Sequence, residues 1–266
     1  MRYTAGMTEF AMPVSLYMTT PVASVLPTDD LDLVQQVLGH KRFSAVAVAD
    51  ERGRLVGVVS RTDLLRIGRR QASTRSGSSL LALPRRAVHE VMEPDVLTVP
   101  TAAPLGRAAG LMAKHHVHRL FIETDGKLAG VLSTKDLMLA VRDKRTSDPI
   151  GNYMSKPVFS VSFDDSVAVA VERLDKAHVS GLVVVEDDWP IGVFTQEEAL
   201  EAKDVPRDTN VEDVLSPAML CLDVDTPLYR AAEQAAAMDV RRVIAVRNRR
   251  VEGILTGLDF ARAAAR

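Results

Sequence analysis

The chain has 266 residues, 47% of them hydrophobic and 26% charged, with a formal net charge of −2. That is the make-up of an ordinary globular protein with a sizeable core, and its near-neutral balance leaves no general attraction to nucleic acid or to an anionic membrane, so any basic site has to be local. The single cysteine, Cys221, excludes an internal disulfide, no apolar run nears the ~18 residues that span a bilayer, and no signal pattern opens the chain, so a cytoplasmic protein is expected.

Residues 1–12 carry three methionines and no periodicity and read as a flexible leader. From Pro13 onward one pattern occurs four times. Each copy opens with a short helical turn and a proline-containing loop: Tyr17–Val22, Val91–Val96, Tyr153–Val158 and Val214–Met219. Proline stops the turn and biases the chain toward extended structure, so a short strand follows, as at Phe159–Ser162. N-cap residues come next, at Thr28, Thr101, Asp164–Ser166 and Thr226, and lead into helical apolar spacing. The spacing is carried by Leu31, Val34 and Leu38; by Leu105, Ala108, Ala109 and Met112; by Val167, Ala170, Val171 and Leu174; and by Leu228, Ala231, Ala235 and Met238. Two apolar runs then read as a hairpin in every copy: 45–48 with 55–59, 120–122 with 128–132, 182–185 with 191–194, and 243–246 with 251–255. Asp125-Gly126 is the clearest turn between them.

The second run of each hairpin ends in a glycine, two apolar residues, a Ser or Thr, two variable residues and an acid. These strings are Gly57–Asp63, Gly130–Asp136, Gly192–Glu198 and Gly253–Asp259, with successive glycines 73, 62 and 61 residues apart. Such a period belongs to whole supersecondary units. The hydroxyl can cap a second helix whose first turn holds the acid. The expected fold is therefore α/β (α+β), with four repeats of strand-helix-strand-strand-helix over 13–66, 87–144, 145–204 and 205–266. Residues 67–86 form a Ser/Gly-rich basic connector. With Arg66 at its edge it brings six arginines together, and it reads either as a mobile solvated linker, the favoured reading, or as a lure for an acidic partner.

With these strings in view, the sequence resembles the CBS domain family, named for cystathionine β-synthase, over residues 13–266. The resemblance implies pairing of the repeats into two Bateman modules, roughly Pro13–Lys144 and Arg145–Arg266. It also implies adenine nucleotides (AMP, ADP or ATP) or a related adenosyl ligand as regulatory ligand, in clefts between paired repeats. A homodimer or a self-stacked disc of modules and an effector protein are the implied partners. A membrane partner is not expected, nucleic acid is unlikely, and no cofactor, metal or catalytic residue is required.

The residues themselves suggest how such a ligand would be held. A carboxylate at a helix start can accept both hydrogen bonds of a ribose diol, which nominates Asp63, Asp136 and Asp259. Helix N-termini with the hydroxyls of Ser60, Thr62, Ser133 and Thr256 offer donors to phosphate. Capping alone is the other role open to all of them. In the third copy Thr195 is followed by Glu198, whose extra methylene displaces the carboxylate, so that half-site is expected to be degenerate. Before the first hairpin strand the even copies carry His118-Arg119 and Arg241-Arg242, where the odd copies carry Ser44-Ala45 and Gly181-Leu182. This alternation resembles the regulatory γ subunits of AMP-activated protein kinases, in which the basic pairs contact phosphate; the small Ala45 and Gly181 would leave room for adenine. The competing reading is a structural protein-interaction module with vestigial clefts. His115, His116 and His118 look like a metal cluster, but no Cys or carboxylate completes a tetrahedral set.

Overall fold

A computed structural model describes residues 10–40 and 43–266. The first repeat runs β1 (Ser24–Val25), α1 (Leu31–His40), β2 (Ala45–Ala49), β3 (Leu55–Ser60) and α2 (Arg61–Gln71). The second runs β4 (Thr98–Pro100), α3 (Leu105–His115), β5 (Arg119–Thr124), β6 (Lys127–Ser133) and α4 (Thr134–Asp143). The third comprises β7 (Ser160–Ser162), α5 (Val167–Lys176), β8 (Gly181–Glu186), β9 (Trp189–Thr195) and α6 (Gln196–Glu201). The fourth comprises β10 (Leu220–Asp223), α7 (Leu228–Ala237), β11 (Val243–Arg247), β12 (Arg250–Leu255) and α8 (Gly257–Ala264). Each repeat makes a three-stranded sheet in which the short first strand lies parallel to the second and the second and third form an antiparallel hairpin. The expected element order is thus the observed one.

Three of the hairpins turn on two residues with positive φ: Asp125-Gly126, Asp187-Asp188 and Asn248-Arg249. Asp and Asn tolerate this left-handed region better than most residues, which lets two turns form without glycine. All four hairpins also shift register just after the residue that faces the repeated glycine, as between Ile122 and Glu123 beside Gly130.

The chain forms two compact units, each with its own core. The first takes the chain up to Val22 together with Leu97–Pro157 and Leu220–Arg266; the second takes Ala23–Val96 and Val158–Met219. In these units the second repeat lies with the fourth and the first with the third. The reason lies in the second helices. In the first unit α4 buries Leu137, Met138, Ala140 and Val141 while α8 buries Phe260, Ala261, Ala263 and Ala264, small side chains that let the helices approach closely. In the second unit α2 packs on α6.

The opening turns are exchanged. Thr19, ahead of the first repeat, bridges to Val131 of the second, and Glu93 ahead of the second bridges to Val58 of the first. Ser155 and Ile254, and Ser216 and Val193, repeat the exchange in the other two repeats. Here the motif glycine finds its structural reason. A Cβ on Gly130 would lie 2.6 Å from the Met18 sulfur, one on Gly57 2.6 Å from Met92, one on Gly253 2.6 Å from Met154, and one on Gly192 2.7 Å from the Ser216 carbonyl oxygen. A glycine lets the exchanged segment lie directly against the strand, most strictly at Gly192, where the neighbour is backbone.

Two expectations about connecting segments change. Most of the expected leader, residues 1–9, lies outside the described residues, but Phe10 is fully buried and its carbonyl accepts from the Gly106 amide at 2.9 Å. The connector is anchored, although most of it stays exposed: Leu80 and Leu81 are buried, and their amides donate to the Val205 and Lys203 carbonyls at 2.9 and 3.0 Å. Two leucines in a polar stretch supply the apolar area that its composition concealed.

Candidate functional site

The repeated string ends each hairpin and starts each second helix through one device. In the second repeat the Ser133 amide and hydroxyl both donate to Asp136 Oδ2, each at 2.7 Å. In the first, Ser60 does the same to Asp63 Oδ2 at 2.8 and 2.6 Å, and in the fourth Thr256 does so to Asp259 Oδ2 at 2.6 and 2.7 Å. The first helical amide is engaged too, Thr134 donating to the His118 carbonyl at 3.0 Å and Arg61 to that of Ser44 at 3.0 Å. A hydroxyl has one proton, and here it is committed to the carboxylate. In the ligand-free chain the hydroxyls of Ser60, Ser133 and Thr256 thus donate to the carboxylates of their own caps. The Thr62 hydroxyl accepts from Gln196 Nε2 at 2.9 Å.

The four acids differ in what remains of them. Glu198 caps α6 as the aspartates do, through the Thr195 amide at 2.9 Å and the Thr195 hydroxyl, so its longer side chain keeps the capping role. Asp63, Asp136 and Glu198 are half-buried. At Asp136 both cap bonds fall on Oδ2, and burial raises its pKa above the ordinary carboxylate value against the opposing effect of the Ser133 bonds. Asp259 is fully buried, and its Oδ1 is taken as well, by the Ser155 hydroxyl at 2.9 Å and by the Arg262 guanidinium.

At the strand mouths, Arg119 lies across the hairpin from Ser133. Arg242 precedes Val243, which pairs with Leu255 beside Thr256, so it occupies the matching place in the fourth repeat. In the first repeat Ala45 faces Ser60, and in the third Gly181 faces Thr195. The register places Ser180-Gly181, not Gly181-Leu182, opposite the basic pairs; the Gln196 amide donating to the Ser180 carbonyl at 3.3 Å mirrors Thr134 on His118. The first unit brings both basic pairs together. His118 is pushed down to about 4 by burial and then by the positive charges of Arg242, Arg119 and Arg241, with His116 weaker still. Four cationic or titratable groups drawn from two repeats thus share one field, and His118 is neutral at neutral pH.

The family model for the CBS domain matches residues 14–70, 88–143, 150–204 and 211–266. The chain belongs to the CBS-domain family. Its four CBS repeats resemble, at a TM-score of 0.80 and 17% identity, protein MJ1225 of Methanocaldococcus jannaschii, described as a candidate archaeal homolog of g-AMPK, over 94% of this chain and 99% of that one. An uncharacterized conserved protein of Pyrococcus horikoshii matches with a TM-score of 0.68 and 16% identity over 95% and 100%. At these identities the likeness establishes the fold. Among curated relatives, an uncharacterized 33.4 kDa protein in a ribosomal RNA operon of Thermofilum pendens is 27% identical over 73% of this chain. An uncharacterized Methanocaldococcus jannaschii protein is 24% identical over 93%. The chain spans 65% and 61% of the lengths of these two relatives.

The odd CBS repeats assemble the same junction with other chemistry. Arg61, the first residue of α2, is buried and donates to Glu197 Oε2 at 2.6 Å and to the Leu38 carbonyl at 3.3 Å. Sequence reading missed this pair, because both residues occupy the variable positions of the CBS string. The available signal was opposite charge at the first turns of two helices that the repeat symmetry makes equivalent. In the even CBS repeats the corresponding starts are Thr134 and Gly257, and a Cβ on Gly257 would run into the Thr134 hydroxyl. No group of three metal-ligating side chains exists among the described residues, and no described helix is long and apolar enough to cross a membrane.

Proposed function

We propose that this chain is a non-catalytic regulatory protein that binds an adenine nucleotide, AMP, ADP or ATP, or a related adenosyl ligand, and passes its occupancy to an effector protein. The observation that carries the reading is the convergence of Arg119, Arg241, Arg242 and His118 in the unit that also holds Asp136. A guanidinium presents a rigid fork of donors that matches phosphate bidentately, and three of them in one field make an anion the natural occupant. Asp136 Oδ1 accepts the ribose diol. With the hydroxyl protons engaged elsewhere, phosphate recognition falls to the arginines. Regulation follows from differential affinity: a ligand that neutralises the basic cluster favours the arrangement in which the arginines are closest.

The odd repeats and Asp259 favour the interaction-module reading for their own half-sites. There a carboxylate or an arginine of the chain already satisfies the charge. Isothermal titration with AMP, ADP and ATP tests the proposal: binding that weakens in Arg119→Ala and Arg242→Ala, most for the nucleotide with most phosphates, supports it. Absence of heat with all three at millimolar concentrations overturns it.

A further inference from the structure

We infer that Arg262 is a built-in plug on the Asp259 half-site, so that the fourth repeat takes an adenosyl ligand only when this side chain is displaced; the inference rests on the nucleotide reading above. Asp136 and Asp259 hold the same place in their repeats and cap their helices identically through Oδ2. They differ at Oδ1. At Asp259 this oxygen is held by Arg262, one turn along α8, and by the Ser155 hydroxyl, and Arg262 Nη2 also donates to Ser155 Oγ at 2.8 Å. The three side chains close a ring around the oxygen that a ribose diol would need. In the second repeat the counterpart of Arg262 is Leu139, which cannot make that ring, and Thr19 holds the backbone position that Ser155 holds in the fourth.

The plug is placed to move. Arg262 keeps 44% of its side chain exposed whereas Asp259 has none, so the guanidinium reaches in from the surface and can swing back into water. A nucleotide that enters has to compete with an intramolecular ion pair, which raises the concentration at which the fourth half-site fills. One chain then reads two concentration ranges, with Asp136 answering first.

The experiment is isothermal titration and native mass spectrometry of the full chain with ADP, comparing the wild type with Arg262→Leu, the reciprocal Leu139→Arg, and Arg262→Leu combined with Asp259→Asn. At an ADP concentration that fills only the Asp136 half-site of the wild type, the expected result is one additional ligand per chain in Arg262→Leu, lost again in the double variant, and one ligand fewer in Leu139→Arg. Thermal melting without ligand confirms that each variant is folded, and if Arg262→Leu is not, the reciprocal Leu139→Arg carries the test alone. Unchanged stoichiometry in a folded Arg262→Leu or Leu139→Arg, with the wild type binding and responding to Asp136→Ala, overturns the plug and leaves the nucleotide reading standing. Loss of binding in Arg262→Leu overturns it by making Arg262 a ligand-binding residue. No binding by any protein overturns both.

Discussion

The two units are built from the same repeat and differ in how they handle charge at the same junction. In the odd-repeat unit, Arg61 is buried against Glu197, so the junction is neutral without a ligand. In the even-repeat unit two basic pairs lie close together, and burial, reinforced by the charges of Arg242, Arg119 and Arg241, holds His118 neutral. Equivalent repeats thus carry different charge at the same junction through the choice of a few side chains, and under the proposed function the even-repeat unit is the sensing half.

Breaking the self-satisfied half should have the largest effect. Glu197→Ala leaves the Arg61 guanidinium buried without its carboxylate and is expected to destabilise the chain by about 3–5 kcal/mol in urea unfolding, with little change in nucleotide affinity. The third repeat should diverge next from the others at its glycine. Gly192→Ala drives a Cβ against the Ser216 carbonyl, which cannot move alone, and should cost about 3 kcal/mol; Gly130→Ala meets the flexible end of Met18 and should cost about 1 kcal/mol.

In the even-repeat unit the effect falls on the ligand. Arg242→Ala should lower the affinity for ATP about 10-fold or more, the value of one charge-assisted contact, as read by isothermal titration. The last effect is one of pH. His118 has a native pKa of about 4 against an ordinary 6.5, so between these values the unfolded chain binds a proton that the folded chain does not. The contribution of His118 to stability is therefore complete above about 6.5 and declines as pH falls toward 4, by a few kcal/mol at most. Replacing His118 with Gln should flatten that slope in thermal melts taken from pH 7 to pH 4.

How much of this was legible in the sequence follows from the range over which each signal acts. The element order, the four hairpins and the caps are local, and periods of 2 and 3.6 with a cap residue define them. The exchange of opening turns was not legible, although its trace stood in plain view: a glycine in each string and a Met or Leu in each opening turn, residues brought together only by folding. The basic alternation was read correctly for the even repeats and by one residue wrongly for the third, because only the strand register settles which residue faces Thr195. The fate of Asp259 could not be read either. Its oxygens are consumed by Ser155, more than a hundred residues away, and by Arg262, whose partner is a matter of rotamer rather than of spacing. Leu80 and Leu81 were overlooked for a simpler reason, since composition averages over the few residues that anchor a segment.

The division of labour between the units is tested most directly by titrating ATP into two variants of the full chain, Arg119→Ala/Arg242→Ala in the even-repeat unit and Asp63→Asn in the odd-repeat unit. The account predicts that the first loses most of its affinity and the second binds nearly as the wild type does. Retained binding in the first with loss in the second would contradict it.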